Sequence, residues 1–128
     1  MHILVADDEA DNRVTMKMML ELQGHCVELA MNGREAVELA SRCAPDVVIM
    51  DIAMPVMDGL TATRILRARP ETGGVPVVCV SAYLGQREWC TKAYEAGCVA
   101  CVAKPVHWDD FAALLARLHE SQGPPQDE

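Results

Sequence analysis

Polar and apolar positions fall into two kinds of block along this chain. Short, nearly unbroken apolar runs recur at residues 3–6, 26–30, 47–50, 76–80 and 99–103. Runs of that length without a polar face predict strands covered on both sides, as in a parallel sheet, and 26–30 is the weakest of the five. Between them, apolar residues return at helical spacing. The first such stretch, about 10–24, offers Val14, Met18 and Leu22 at i, i+4, i+8 as its inward stripe, with Gly24 as the stop. The second follows Asn32-Gly33, where Asn32 is placed to cap it, and carries Ala36, Leu39, Ala40 and Cys43 inward until Pro45. Asp58 caps the third, which turns Ala62, Ile65 and Leu66 inward and Arg64 and Arg67 outward before Pro70 and Gly73-Gly74 break it. A fourth, about 86–96, has the least regular pattern and is expected to pack most loosely. The last is the clearest: Phe111, Leu114, Leu115 and Leu118 share a face, and Asp109 and Asp110 sit near the positive end of its dipole.

Strand and helix thus alternate five times, which implies right-handed crossovers and a parallel sheet. The expected fold is α/β and flavodoxin-like, a (βα)5 unit with a five-stranded parallel sheet in the order 2-1-3-4-5 and helices on both faces. One domain over residues 1–121 accounts for the pattern; residues 122–128, with two prolines and no apolar residue, read as a flexible tail. In this order the carboxyl ends of strands one, three, four and five bring Asp7, Asp8, Asp51, Ser81 and Lys104 to one edge, where open α/β sheets bind their ligands. Each taken singly has a plain structural explanation as a cap, a turn residue or a solvated lysine. All five at strand ends make a set.

Charge narrows the partners. A formal net charge of −8 over 128 residues argues against nucleic acid or an anionic membrane as a partner of the bulk surface, and fits a basic protein face or a cation. No apolar run approaches a membrane-spanning length and no basic leader precedes the first strand, so the expected compartment is the cytoplasm. The six cysteines (Cys26, Cys43, Cys79, Cys90, Cys98 and Cys101) lie mostly in apolar segments and read as buried thiols rather than a disulfide scaffold. Cys98 and Cys101 have metal or redox spacing. On a strand, however, residues three apart face opposite sides.

The chemistry of the five residues is coherent. Three carboxylates drawn together repel and resist full ionisation unless a hard cation joins them, and Mg²⁺, an oxygen-preferring ion, suits such a cluster. A carboxylate is also a nucleophile toward phosphorus and gives an acyl phosphate. The Lys104 ammonium and the Ser81 hydroxyl are placed to neutralise and hold the incoming phosphoryl oxygens.

The Asp7-Asp8 pair, Asp51 with Met54-Pro-Val-Met-Asp-Gly59, Ser81-Ala82 and Lys104-Pro105 together resemble the receiver domain of two-component response regulators, over about residues 2–120. That resemblance implies that Asp51 accepts a phosphoryl group from a histidine kinase or histidine phosphotransfer protein and so switches contacts with a downstream protein. It implies that Asp8, Asp51 and the backbone carbonyl of Ala53 bind Mg²⁺ directly, with Asp7 acting mainly through water. Ser81 and Lys104 hold the phosphoryl oxygens, the Lys104-Pro105 bond is cis, and the domain assists its own phosphorylation and dephosphorylation without being an enzyme in its own right. Asp11-Asn12-Arg13 and the Met50 to Gly59 wording look most like receivers of hybrid sensor kinases. No effector follows the last helix, so the chain reads as a stand-alone receiver or a domain of a longer protein, with no DNA-binding domain of its own.

Two departures from that family stand in the switch region. Where receivers carry Tyr or Phe three residues before the lysine, this chain has Cys101. Tyr83, two beyond Ser81, is bulky, whereas Ala53, two beyond Asp51, is small. A haloacid-dehalogenase-like phosphatase would need a second carboxylate where Ala53 stands. A flavodoxin would need a phosphate-cradling loop where Asp7, Asp8 and Glu9 repel phosphate. A receiver-like interaction module that is never phosphorylated is the other reading, and the complete acidic site argues against it.

Overall fold

The computed structural model describes residues 1–82 and 87–121. Strands β1 (His2–Ala6), β2 (Cys26–Ala30), β3 (Val47–Asp51), β4 (Val77–Ser81) and β5 (Ala100–Ala103) alternate with helices α1 (Ala10–Leu22), α2 (Gly33–Cys43), α3 (Gly59–Ala68), α4 (Arg87–Ala96) and α5 (Trp108–Ser121). The sheet is wholly parallel, in the order β2-β1-β3-β4-β5 expected from the alternation. Every residue of the inner strands β3 and β4 is buried, which explains their continuous apolar runs, while β5 at the edge is only half covered.

Two cores sandwich the sheet. Leu4, Val48, Met50, Val77 and Cys79 face α2, α3 and α4, meeting Ala36, Val37, Ala40, Ala62, Leu66 and Ala93. On the other face Ile3, Val5, Ile49 and Val78 meet Met16 and Leu20 of α1 and Phe111 and Leu115 of α5. Burial of side chains the size of Phe111 or Leu115 contributes roughly 1.5–3 kcal/mol each. The loose α4 expected from its pattern buries only Ala93 and Ala96 fully.

Caps follow the sequence closely. The Asn32 side chain accepts from the Glu35 amide at 2.8 Å, and Asp58 accepts from the Thr61 amide at 2.9 Å. Helix α2 ends in left-handed Ala44 just before Pro45.

The inward face of α1 differs from the expectation. Val14, Met18 and Leu22 are 55%, 59% and 80% exposed, while Met16 and Leu20 are buried. The reason is that α1 carries apolar residues all round. Met16 and Leu20 are also spaced by four but lie on nearly the opposite side of the helix, so periodicity alone has two solutions.

The cysteines also depart from the expectation. Cys79 of β4 and Cys98, in the turn before β5, are bonded sulfur to sulfur, with Cα atoms 6.3 Å apart. Strand alternation does not put Cys98 and Cys101 on opposite sides either, because Cys98 precedes β5, and both pack on the same core. Cys26 is exposed rather than buried.

Candidate functional site

Asp51 is the last residue of β3, and its register partner Val80 immediately precedes Ser81, the last residue of β4. Ser81 in turn pairs with Ala103, which places Lys104 just beyond the edge strand, and the Lys104 amide donates to the Ser81 carbonyl at 3.2 Å. On the other side β1 ends at Ala6, and the Asp7 amide continues its ladder to the Ala30 carbonyl at 3.1 Å. The four strand ends meet around a cleft of about 340 Å³ lined by Asp7, Asp8, Asp51, Ala53, Ser81 and Lys104, among others.

Carboxylate oxygens of Asp7, Asp8 and Asp51 lie within 4.8 Å of one another, with Asp7 and Asp51 buried and Asp8 exposed at the mouth. Such a set of hard oxygen donors, open to solvent on one side, fits a hydrated divalent cation. Opposite it, the Lys104 ammonium donates to Asp7 Oδ2 and to Asp51 Oδ2, each at 3.1 Å. Burial pulls the Lys104 ammonium down, but the charge of Asp51 and its hydrogen bonds to Asp7 and Asp51 outweigh this and raise its pKa. Burial pushes the Asp51 carboxyl above the usual carboxylate range; the Lys104 charge opposes the rise and does not cancel it. The pair therefore holds a charged lysine beside a carboxylate that is more basic than usual.

The loop after Asp51 keeps that carboxylate in place. The Ala53 amide donates to Asp51 Oδ1 at 3.3 Å. Further on, the Met57 amide donates to the Pro55 carbonyl at 2.7 Å across Val56, whose φ of 69° is left-handed, so the loop turns through a γ-turn on a β-branched residue. Gly59 closes the loop by donating to the Ile52 carbonyl at 2.9 Å, and a Cβ there would overlap the Asp51 carbonyl. Gly33 performs the same service at the start of α2, donating to the Met57 carbonyl at 3.0 Å, where a Cβ would again strike backbone.

All five strand-end residues are thus brought together, and the Lys104-Pro105 bond is cis. Ala82 is exposed at the rim, Cys101 is partly buried on β5, and Tyr83 lies outside the described residues. Asn12 and Arg13 have a larger part than their motif suggested. Arg13 donates to the Asp7 carbonyl at 2.7 Å, and Asn12, lining the cleft, donates to Glu9 at 2.6 Å. Helical spacing gave no signal for them, because Asp8 precedes the Glu9 cap; the start of α1 is what brings Asn12 to the cleft.

Comparison with known proteins agrees with this geometry. The family model described as response regulator receiver domain matches residues 3–116. The regulatory protein AtoC of Escherichia coli (strain K12) is 37% identical over 120 residues, which span 94% of this chain and 25% of that protein. The hybrid signal transduction histidine kinase G of Dictyostelium discoideum is 37% identical over 117 residues, 90% of this chain and 3% of that protein. The chain thus spans a quarter or less of the length of these two curated relatives. Among solved structures, the receiver domain of a sensor histidine kinase from Pseudomonas aeruginosa PAO1, with a magnesium ion coordinated in its active site cleft, superposes with a TM-score of 0.85 at 32% identity, covering 91% of this chain and 95% of that one. The chain belongs to the family of response regulator receiver domains, the modules that receive the phosphoryl group in two-component signalling.

Proposed function

We propose that Asp51 is the phosphoacceptor of this receiver, taking its phosphoryl group from a histidine kinase or histidine phosphotransfer protein and passing the signal on through a changed contact with a downstream protein. The observation that carries this reading is the placement of a buried carboxylate at the end of the central strand, with the Lys104 ammonium 3.1 Å away and two further carboxylates across the cleft.

An Asp51 carboxylate oxygen attacks phosphorus, an acyl phosphate forms, and the bond to the donor's leaving group breaks. Lys104 already stands at Asp51 Oδ2 and neutralises charge on the transferred group, while Ser81 at the end of β4 offers its hydroxyl to a phosphoryl oxygen. Asp8, Asp51 and the Ala53 carbonyl are the direct ligands we assign to Mg²⁺, with Asp7 acting through water. Bound there, the ion supplies charge neutralisation for the phosphoryl oxygens. The chain's own residues bind, orient and release the group without turning over a separate substrate, so it acts as a phosphoacceptor rather than an enzyme.

Among the described residues no helix is long and apolar enough to cross a membrane. With the net charge of −8, this supports a partner with a basic face, no direct nucleic-acid contact and a cytoplasmic setting. The test is incubation with a small phosphodonor such as acetyl phosphate, with and without Mg²⁺, followed by intact mass. One added phosphoryl group that requires Mg²⁺ supports the proposal. No adduct on the folded chain overturns it in favour of an unphosphorylated interaction module.

A further inference from the structure

Beyond the acidic cleft, four of the six cysteines gather on the α3–α4 side of the sheet. Cys79 and Cys98 are bonded to each other, and Cys101 is the register neighbour of Cys79 on β5. Cys90, on α4, packs over the same core as Cys101, and both are partly buried rather than sealed. The Cys101 thiol lies 3.9 Å from the Cys90 carbonyl and is in hydrogen-bond contact with the Cys90 thiol. Tyr94, one turn further along α4, also contacts Cys101. A cavity of about 500 Å³ lined by Tyr94 and Arg117 opens on Cys101.

The geometry points to Cys90 and Cys101 as a thiol–disulfide pair that is oxidised by a low-molecular-weight disulfide and then ties α4 covalently to β5, three residues before Lys104. The oxidant is of the glutathione disulfide class. The Cys90 thiolate attacks one sulfur of that disulfide, forming a mixed disulfide and releasing one thiol. Cys101 then gives up its proton and attacks the Cys90 sulfur, forming the Cys90–Cys101 bond and releasing the second thiol. The two cysteines together lose two electrons, and one small disulfide is reduced to two thiols. Cys101 acts as the resolving partner rather than the first nucleophile: burial first, and then the neighbouring Cys90, push its thiol up to about 11, so it stays protonated at neutral pH. This chemistry uses no phosphoryl group and is independent of the function proposed above.

The test uses the full chain, reduced, desalted and incubated with oxidised glutathione without phosphodonor, then mapped as peptides under non-reducing conditions. The expected result is a linked pair of peptides containing Cys90 and Cys101, released by dithiothreitol. In Cys101→Ser the reaction stops with glutathione held on Cys90; in Cys90→Ser, Cys101 remains a free thiol. A native chain that keeps glutathione on Cys90 without resolving it, a Cys101 linked instead to Cys79 or Cys98, or a Cys90–Cys101 link that forms only in denaturant would each overturn the assignment.

Discussion

The Lys104 ammonium stands 3.1 Å from Asp51 Oδ2, yet the Asp51 carboxyl is still raised above its ordinary range, because burial outweighs the attraction of the lysine. Lys104 also bonds Asp7, so one cation serves two buried carboxylates. Lys104→Ala strands both. We expect the metal-free domain to lose about 1–3 kcal/mol in denaturant melts, the cost of a buried charged group left without its partner. The variant should still accept a phosphoryl group on Asp51, with a weakened conformational response. Unchanged metal-free stability would mean that Lys104 does not bear on the acidic cluster in solution.

The same burial sets a pH dependence. A carboxyl whose folded pKa is raised binds its proton more tightly in the folded state, so its contribution to stability is fully present below the ordinary pKa and is lost as pH rises through the folded value. The metal-free domain should therefore become less stable above about pH 4, levelling off once Asp51 is ionised in both states. Lys104 adds a second loss at the alkaline end: its pKa is raised, so its stabilisation is present below the ordinary lysine value and disappears as pH rises through the folded one. At neutral pH, Mg²⁺ at ten times its dissociation constant should restore roughly 1.4 kcal/mol, a rise of several degrees in Tm. Thermal melts across pH, with and without Mg²⁺, read all three effects. Melting at neutral pH that ignores millimolar Mg²⁺ would remove the cation from the account.

Leu20 and Leu22 separate the two possible faces of α1. Leu20 is fully buried and Leu22 is 80% exposed, so Leu20→Ala should cost about 2–5 kcal/mol and Leu22→Ala no more than about 0.5 kcal/mol. Equal costs in urea unfolding would contradict the observed packing of α1.

Ser81 is buried at the end of β4 and lines the cleft with Asp51 and Lys104. A phosphoryl group shifts an equilibrium only through contacts it makes better in one state, and Ser81 is the hydroxyl closest in the fold to that role. Because Cys101 is a small thiol, little volume needs to move there. Hydrogen exchange across residues 87–92, or the fluorescence of Trp89 beneath Lys92, should change on phosphorylation. Ser81→Ala should suppress that change and Cys101→Ala should leave it largely intact. Its loss in a folded, phosphorylated Cys101→Ala protein would make the thiol part of the switch.

Much of this was legible before the fold. The continuous apolar runs at 47–50 and 76–80 read as strands covered on both faces, and the strand order then carried Asp51, Ser81 and Lys104 to one edge. Local signals also sufficed for Asn32 and Asp58, whose caps depend on the next three residues alone. What failed was whatever needed a third dimension. The face of α1 could not be chosen because Met16 and Leu20 repeat the same spacing as Val14 and Met18. The Cys79–Cys98 pair joins a strand to a turn, and no period links the two positions. Arg13 reaches back to the Asp7 carbonyl, a contact set by how α1 leaves β1. The cis Lys104-Pro105 bond came from family resemblance, since spacing alone cannot choose between isomers.

Reductive trapping tests the central claim most directly. An acyl phosphate on an aspartate is reduced by borohydride to homoserine, so peptide sequencing of the chain after phosphodonor, Mg²⁺ and borohydride locates the modified carboxyl itself. The account predicts homoserine at position 51 and none in Asp51→Asn treated in parallel. Homoserine at position 7, 8 or 58, or a native yield that persists at another aspartate when Asp51 is replaced, would contradict it.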